Sequence, residues 1–199
     1  MRLALPAALA AAAVALLAPG VDAAPPRGAP NCPVFPASNV WNKPVNKLPR
    51  HKRSAVIVRA IGADLNVHAD FGSGFWDGGP IGIPVTVVGN SQSKFWVDFQ
   101  YDEESDPGPY PIPPDVAIEG GPDADGDRHA IIVDRDSCTL YELFDLWPEW
   151  SAGSGAIWNI RSNRLRPRAW TSADAAGLPI LPGLARYDDV ARGLIDHAL

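Results

Sequence analysis

Two histidines and two acidic residues have side chains of the types that acid–base or metal chemistry requires. His68 and Asp70 alternate in "NVHADFGSG", so both face the same side if that segment is extended. His129 could join them, together with either Glu142 or Asp127. Two histidines and a carboxylate would suit zinc or another transition metal that activates water. The same groups without a metal would form an acid/base pair. The chain has no compact metal motif, so both alternatives stay open.

A second candidate site is the acidic stretch "GPDADGDRHAIIVD". Asp123, Asp125 and Asp127 have the alternate spacing of a calcium-binding loop, and Asp134 falls at the twelfth position. However, an extended run of residues 129–134 would carry Asp134 some 15 Å away from the loop, at about 3.3 Å per residue. The three Asp residues therefore predict either a loop that binds calcium or a solvated Asp/Gly turn.

The runs "HAIIVD" and "CTLYELF" predict an antiparallel hairpin across "RDS". This register pairs Asp134 with Thr139 and Ile131 with Glu142. It places His129 diagonal to Glu142 on one face. A slip of one residue would put them on opposite faces.

Other carboxylates offer a third chemistry. Two of them facing each other across a cleft would form a glycosidase site. Glu119 and Glu142 are each flanked by apolar residues, which would raise their pKa values if they are buried. The group Glu103, Glu104 and Asp106 is expected to cap a loop.

Ligand-binding residues are expected in loops, where function is concentrated. Trp76 lies in the glycine-rich "GSGFWDGG", and its ring would stack on a sugar face. Arg128 follows the acidic stretch, and Asp174 and Arg186 lie in the long segment "TSADAAGLPILPGLARYDD". We predict these four residues as ligand contacts, although the long segment could equally be a rigid structural wrap.

The N-terminus has the pattern of a secretory signal peptide, predicted over residues 1–23. Arg2 precedes an uncharged Ala/Leu-rich run, and small residues follow near Ala23. No second long apolar run follows, so we expect export without membrane insertion. Residues 24–36 form a Pro-rich segment, and residues 37–199 are predicted as a single β-rich domain.

Net charge and cysteine content limit the binding partners and the cellular compartment that we expect for the protein. The formal net charge of −6 argues against nucleic acid or an anionic membrane as a partner, and it is compatible with neutral glycans. Cys32 and Cys138 are the two cysteines, and in an exported protein they predict a disulfide.

The expected fold is mainly β, a single-domain sandwich or jelly roll with long Pro/Gly-rich loops and one to three short helices. The predicted strands are the runs "IPVTVV", "KFWVDFQ", "VAIEGG", "HAIIVD", "CTLYELF" and "AIWNI". Ser54 is expected to cap a helix in "RSAVIVRAIGA" that ends at Gly62, although the Val, Ile and Val of this run would also fit a strand. Ser172 would cap "ADAAG", and Asp188 and Asp189 would lie in the first turn of a last helix.

A set of motifs spread over nearly the whole mature chain resembles a group of secreted bacterial and fungal proteins of uncharacterised function. The motifs are "SNVWN", "HADFGSG", "PIGIP", "EESDPGPYPIPP", "GDRH", "LYELF", "SGAIW" and "TSADAAGLPILPGLARYDDV". The resemblance implies export but no particular reaction. Members of the group continue past the position of Leu199, so it also predicts an edge strand or further domain beyond that residue.

Together these features predict a secreted protein that acts on extracellular carbohydrate, with His68, Asp70, His129 and Glu142 as the catalytic candidates. The alternative is a non-catalytic carbohydrate-binding or cell-surface module with at most a structural calcium site. A secreted peptidase is a third and weaker hypothesis, because no peptidase motif is present.

Overall fold

A computed structural model describes residues 23–66, 72, 74–76 and 78–199. Its largest element is a mixed four-stranded sheet built from β3 (Val85–Val88), β5 (Ala130–Asp134), β6 (Thr139–Phe144) and β8 (Ser154–Asn159). The strand order is β3-β5-β6-β8, in which β3 is parallel to β5 and the other pairs are antiparallel. The expectation of a mainly β protein with few short helices is confirmed.

The predicted hairpin register is confirmed at the centre of this sheet. Ile131 pairs with Glu142, and Asp134 pairs with Thr139. All five residues of β5 are buried, as are the four central residues of β6. A strand that is covered on both faces reads as a continuous apolar run, which explains the "AIIV" sequence of β5.

Two apolar clusters cover the two faces of the sheet. Alternation along β5 sends Ile131 and Val133 to one cluster, and Ala130 and Ile132 to the other. The first cluster also contains residues from the N-terminal segment and from the loop after β8. The second contains residues from the loops between β3 and β5. Loops rather than a second large sheet thus supply much of the core within the described residues.

The predicted disulfide between Cys32 and Cys138 is present. Both cysteines are fully buried in the first cluster, next to Val34 and Phe35. The bond joins the Pro-rich segment to the turn between β5 and β6, across a separation of 106 residues. This cross-link holds a segment with little secondary structure of its own against the sheet.

Two short α-helices lie outside the sheet, α1 (Ser54–Ile61) and α2 (Tyr187–Arg192). Helix α1 ends at Gly62 in the left-handed conformation, as predicted, but Arg53 rather than Ser54 occupies its N-cap position. Helix α2 has Asp188 and Asp189 in its first turn, as predicted. In the part of the chain that the structure describes, no helix is long and apolar enough to cross a membrane.

Some predicted elements are shorter than expected or absent. "KFWVDFQ" contributes only β4 (Asp98–Phe99), which pairs in parallel with β7 (Ser151–Ala152). "VAIEGG" is not a strand, because Gly120 and Gly121 have positive φ values and turn the chain. "ADAAG" forms turns rather than a helix. The last two-stranded pair is β1 (Phe75–Trp76) with β2 (Gly79–Pro80). A sandwich or jelly roll remains a prediction.

The disulfide should contribute strongly to stability. We expect the double variant Cys32→Ala/Cys138→Ala to lose roughly 2–5 kcal/mol of unfolding free energy, because a cross-link over a long loop restricts the unfolded chain. Denaturant unfolding followed by tryptophan fluorescence measures the change. Wild-type protein treated with reductant should show a similar loss, whereas an unchanged midpoint in both samples would contradict the structural role.

Candidate functional site

Two titratable groups that the structure brings into direct contact are His129 and Glu119. The imidazole Nδ1 lies 2.6 Å from Glu119 Oε2, and Nε2 lies 3.1 Å from the carbonyl oxygen of Ala173. A carbonyl oxygen and an ionised carboxylate can only accept hydrogen bonds. With Glu119 ionised, both ring nitrogens donate, so this geometry favours the imidazolium form of His129, which bridges two loops.

The two glycines after Glu119 explain why it reaches a residue ten positions later. Gly120 and Gly121 turn the chain away, and the loop returns to β5, where the Glu119 N–H donates to the His129 carbonyl oxygen at 3.0 Å. This bond joins the two ends of the loop, residues 120–128. The carboxylate of Glu119 is thereby held beside the imidazole.

The pair shifts both pKa values in opposite directions. Hydrogen bonding to His129 lowers the pKa of Glu119, although partial burial opposes this. Burial by itself would lower the pKa of His129, but the hydrogen bond and charge of Glu119, with smaller effects of Ala173 and Asp127, raise it. The pairing therefore favours the ionised form of Glu119 and the imidazolium form of His129.

Residues 171–181 form a segment, here called the strap, that crosses the sheet. Polar side chains from other parts of the chain bind the first residues of the strap. Glu104 Oε2 accepts hydrogen bonds from the Thr171 N–H at 2.9 Å and hydroxyl at 2.6 Å. Ser154 Oγ donates to the Ser172 carbonyl oxygen at 2.7 Å. The His129 bond to Ala173 is the third contact. The strap is thus positioned by polar side chains rather than by regular secondary structure.

Glu142 holds the far end of the strap. It is fully buried on β6, and its Oε1 accepts hydrogen bonds from the N–H groups of Ile180 and Leu181, both at 2.9 Å. Burial raises the pKa of Glu142 to about 7, although these backbone donors favour the ionised form. The Glu142 side chain therefore holds the strap against β6 and is not accessible to solvent.

A cavity of about 690 Å³ lies between the strap, the sheet and the 3₁₀ turn Asp102–Glu104. Its walls combine polar and aromatic groups: Tyr101, Glu104, Asp127, His129, Phe144 and Asp174. Hydrogen bonding from Thr171 lowers the pKa of Glu104, whereas the pairing with Glu119 raises the pKa of His129. One wall group thus favours its ionised form and the other its protonated form, which is a combination that suits proton transfer.

The predicted catalytic set is only partly brought together. His68 and Asp70 lie outside the described residues. His129 and Glu142 share a face of the hairpin, as predicted, but each bonds to a different partner: His129 to Glu119 and Ala173, Glu142 to the strap. Glu142 is therefore placed as a structural group, whereas His129 lines the cavity.

The residues predicted as ligand contacts also lie in different places in the structure. Asp174 lines the cavity with His129. Arg128 is buried instead, where it donates to the carbonyl oxygens of Leu146, Pro122 and Ala124, so it organises the loop rather than binding a ligand.

Arg186 and Trp76 belong to other parts of the molecule. Arg186 lines a different cavity of about 1040 Å³, and its backbone N–H donates to Asp189 Oδ2 at 3.0 Å. Trp76 belongs to β1, and its side chain lies outside what the structure describes.

The acidic stretch lines a shallower cavity of about 620 Å³ with exposed Asp123, Asp125 and Asp127. Among the residues that the structure describes, no group of three or more His, Cys, Asp or Glu side chains is arranged to hold a metal ion. Asp134 accepts hydrogen bonds from the N–H groups of Asp136 and Ser137 and closes the hairpin turn. Within the described residues, neither the three Asp side chains nor His129 belongs to such a group.

Sequence reasoning did not identify two groups of this site. Glu104 was expected only to cap a loop, yet it lines the cavity and fastens Thr171, 67 residues away. Glu119 was recognised as a partly buried carboxylate but not as the partner of His129. The double glycine after Glu119 was the one local signal, because it makes a chain reversal possible.

We expect Glu119→Gln to lower the pKa of His129, because the amide removes the negative charge that stabilises the imidazolium. Histidine titration by NMR measures this shift directly. The exposed variant Glu149→Gln serves as the control and should leave the His129 titration unchanged. An unaltered His129 pKa in Glu119→Gln would contradict the pairing.

Glu142 should make stability depend on pH in a defined direction. Its folded pKa of about 7 lies above the ordinary value of 4.5, so its contribution to stability is complete below pH 4.5 and is lost as the pH rises through 7. Relative to Glu142→Gln, the wild-type protein should lose on the order of 3 kcal/mol of unfolding free energy across this interval. Chemical denaturation at several pH values measures the difference, and two parallel pH profiles would disprove the assignment.

Comparison with models of protein families found no match. Searches of curated proteins and of solved structures found no match either. The function proposed below therefore rests on the residues of the site and on the sequence pattern.

Proposed function

We propose that the protein is an exported, hydrolase-like enzyme that acts on extracellular carbohydrate in the 690 Å³ cavity. The observation that carries the proposal is that His129 and Glu104 both line that cavity, together with the rings of Tyr101 and Phe144, and that the pKa of His129 is raised while that of Glu104 is lowered. Aromatic faces bind the apolar faces of sugars, and carboxylates accept hydrogen bonds from sugar hydroxyls.

In this proposal His129 is the general acid. Its Nε2–H, which donates to the Ala173 carbonyl oxygen in the structure, is transferred to the leaving oxygen of the scissile bond. Glu119 is a positioning residue that keeps the imidazole protonated and oriented through Nδ1. When the substrate enters the cavity, its leaving oxygen replaces the carbonyl oxygen of Ala173 as the acceptor of this hydrogen bond.

Glu104 is the general base of the proposed reaction. Both of its hydrogen bonds from Thr171 go to Oε2, and its carboxylate takes a proton from the attacking water. The proton given up by His129 is thus balanced by the one that Glu104 accepts. The products are two sugar ends that bear new hydroxyl groups.

Export is part of the same proposal. The leader pattern over residues 1–23, the resemblance to a group of secreted proteins and the predicted sandwich or jelly-roll architecture all belong to it. The buried disulfide supports an oxidising compartment, because such bonds persist mainly outside the reducing cytosol.

The alternative, a carbohydrate-binding module without catalysis, is favoured by one observation. Tyr101 lines the cavity and is 47 % exposed, which suits a stacking platform. Binding without turnover by the wild-type protein would support this alternative.

The test is to incubate the protein with a panel of neutral oligosaccharides and to measure hydrolysis as the release of reducing ends. We expect Glu104→Gln to lower kcat by roughly 10²- to 10⁴-fold, the usual contribution of a general base, while oligosaccharide binding measured by calorimetry persists. The matched control is Glu103→Gln, an exposed neighbour on the same 3₁₀ turn. Activity should fall at low pH as Glu104 gains a proton, and at high pH as His129 loses one. If the wild-type protein neither hydrolyses nor binds any oligosaccharide of the panel, the proposal is overturned.

A further inference from the structure

The net charge of −6 hides a strong segregation of charge along the chain. Residues 23–63 contain seven Lys and Arg and no Asp or Glu, whereas residues 64–199 contain nine Lys and Arg against 22 Asp and Glu. Six of the seven basic side chains lie between residues 43 and 59, and all six are exposed: Lys43, Lys47, Arg50, Lys52, Arg53 and Arg59. None of the six forms an ion pair with another described residue.

The same region exposes an apolar stripe on helix α1. At 100° per residue, Ile57, Val58 and Ile61 fall on one face of the helix. Their exposed fractions are 46 %, 48 % and 74 %, and no residue of α1 is buried. Leu65, which follows the helix, is 76 % exposed. A helix of this composition in a packed domain normally buries such a stripe, whereas here roughly half or more of each of its side chains stays exposed.

We propose that the basic apolar patch, defined as residues 43–65, docks the protein onto the surface of an anionic lipid bilayer. In this arrangement α1 lies parallel to the membrane, with its apolar stripe at the level of the headgroups and acyl chains. The surrounding Lys and Arg side chains contact the lipid phosphates. An amphipathic helix with basic flanks binds membranes through these two contributions.

The charge distribution also gives this docking an orientation. The negative charge of residues 64–199 is repelled by an anionic surface, while residues 43–59 are attracted to it. The average charge predicts no anionic membrane partner, but attraction depends on the local charge within a Debye length, about 8 Å at physiological salt. The exposed apolar stripe favours a lipid surface over an acidic polymer in water, since a polymer would leave that stripe uncovered.

The test is co-sedimentation of the full chain with vesicles of phosphatidylcholine alone and with 30 % phosphatidylglycerol, at low and high salt. We expect stronger binding to the anionic vesicles and its loss at high salt. Arg53→Gln/Arg59→Gln should weaken that binding about 30-fold, the change expected when two basic residues near an anionic surface are neutralised. Ile57→Ser/Ile61→Ser should weaken it at least tenfold.

Matched controls are Arg168→Gln and Val190→Ser, which replace exposed residues outside the patch and should bind like the wild type. Circular dichroism checks that each variant is folded, which is expected because every substituted residue is exposed. All variants keep residues 1–22, so any binding that they lose belongs to the patch. Patch variants that bind anionic vesicles as tightly as the wild type would overturn the proposal. So would patch-dependent dimerisation without vesicle binding, which would identify a second copy as the partner.

Discussion

The central constraint in this protein is that strands β5 and β6 are covered on both faces, so the buried polar side chains on them, and His129 directly before β5, each need a partner. An unpaired buried carboxylate or imidazole would cost several kcal/mol. Glu142 meets this requirement with the backbone of Ile180 and Leu181, and His129 meets it with Glu119 and Ala173. The long loops are ordered because they supply these partners.

This constraint also explains how a site can exist in a protein with little regular structure. The strap runs over the sheet with few helical or strand hydrogen bonds of its own, and Glu104, Ser154, His129 and Glu142 hold it at intervals. The cavity forms where the strap stands off from the sheet. The bonds from Thr171 that fasten the strap also lower the pKa of Glu104, whereas the raised pKa of His129 comes chiefly from Glu119 and only in smaller part from its bond to Ala173.

The protein divides its charge between two kinds of surface. The carboxylates concentrate in the loops that line the cavities, whereas the exposed basic residues between 43 and 59 surround an apolar helix. A single average charge describes neither region. Attraction and repulsion of partners depend on the local distribution, because charges separated by more than a Debye length are screened from each other.

Several features follow from the sequence alone. The compartment argument predicted the Cys32–Cys138 disulfide, and the turn "RDS" between two apolar runs predicted the hairpin register. Gly62 ended α1 as expected, because glycine readily adopts the left-handed conformation. The pairing of His129 with Glu119, the role of Glu104 and the fastening of the strap by Glu142 were decided only by the tertiary structure. Each of these contacts joins residues 10 to 67 positions apart, and no local pattern specifies which loop returns to a buried side chain.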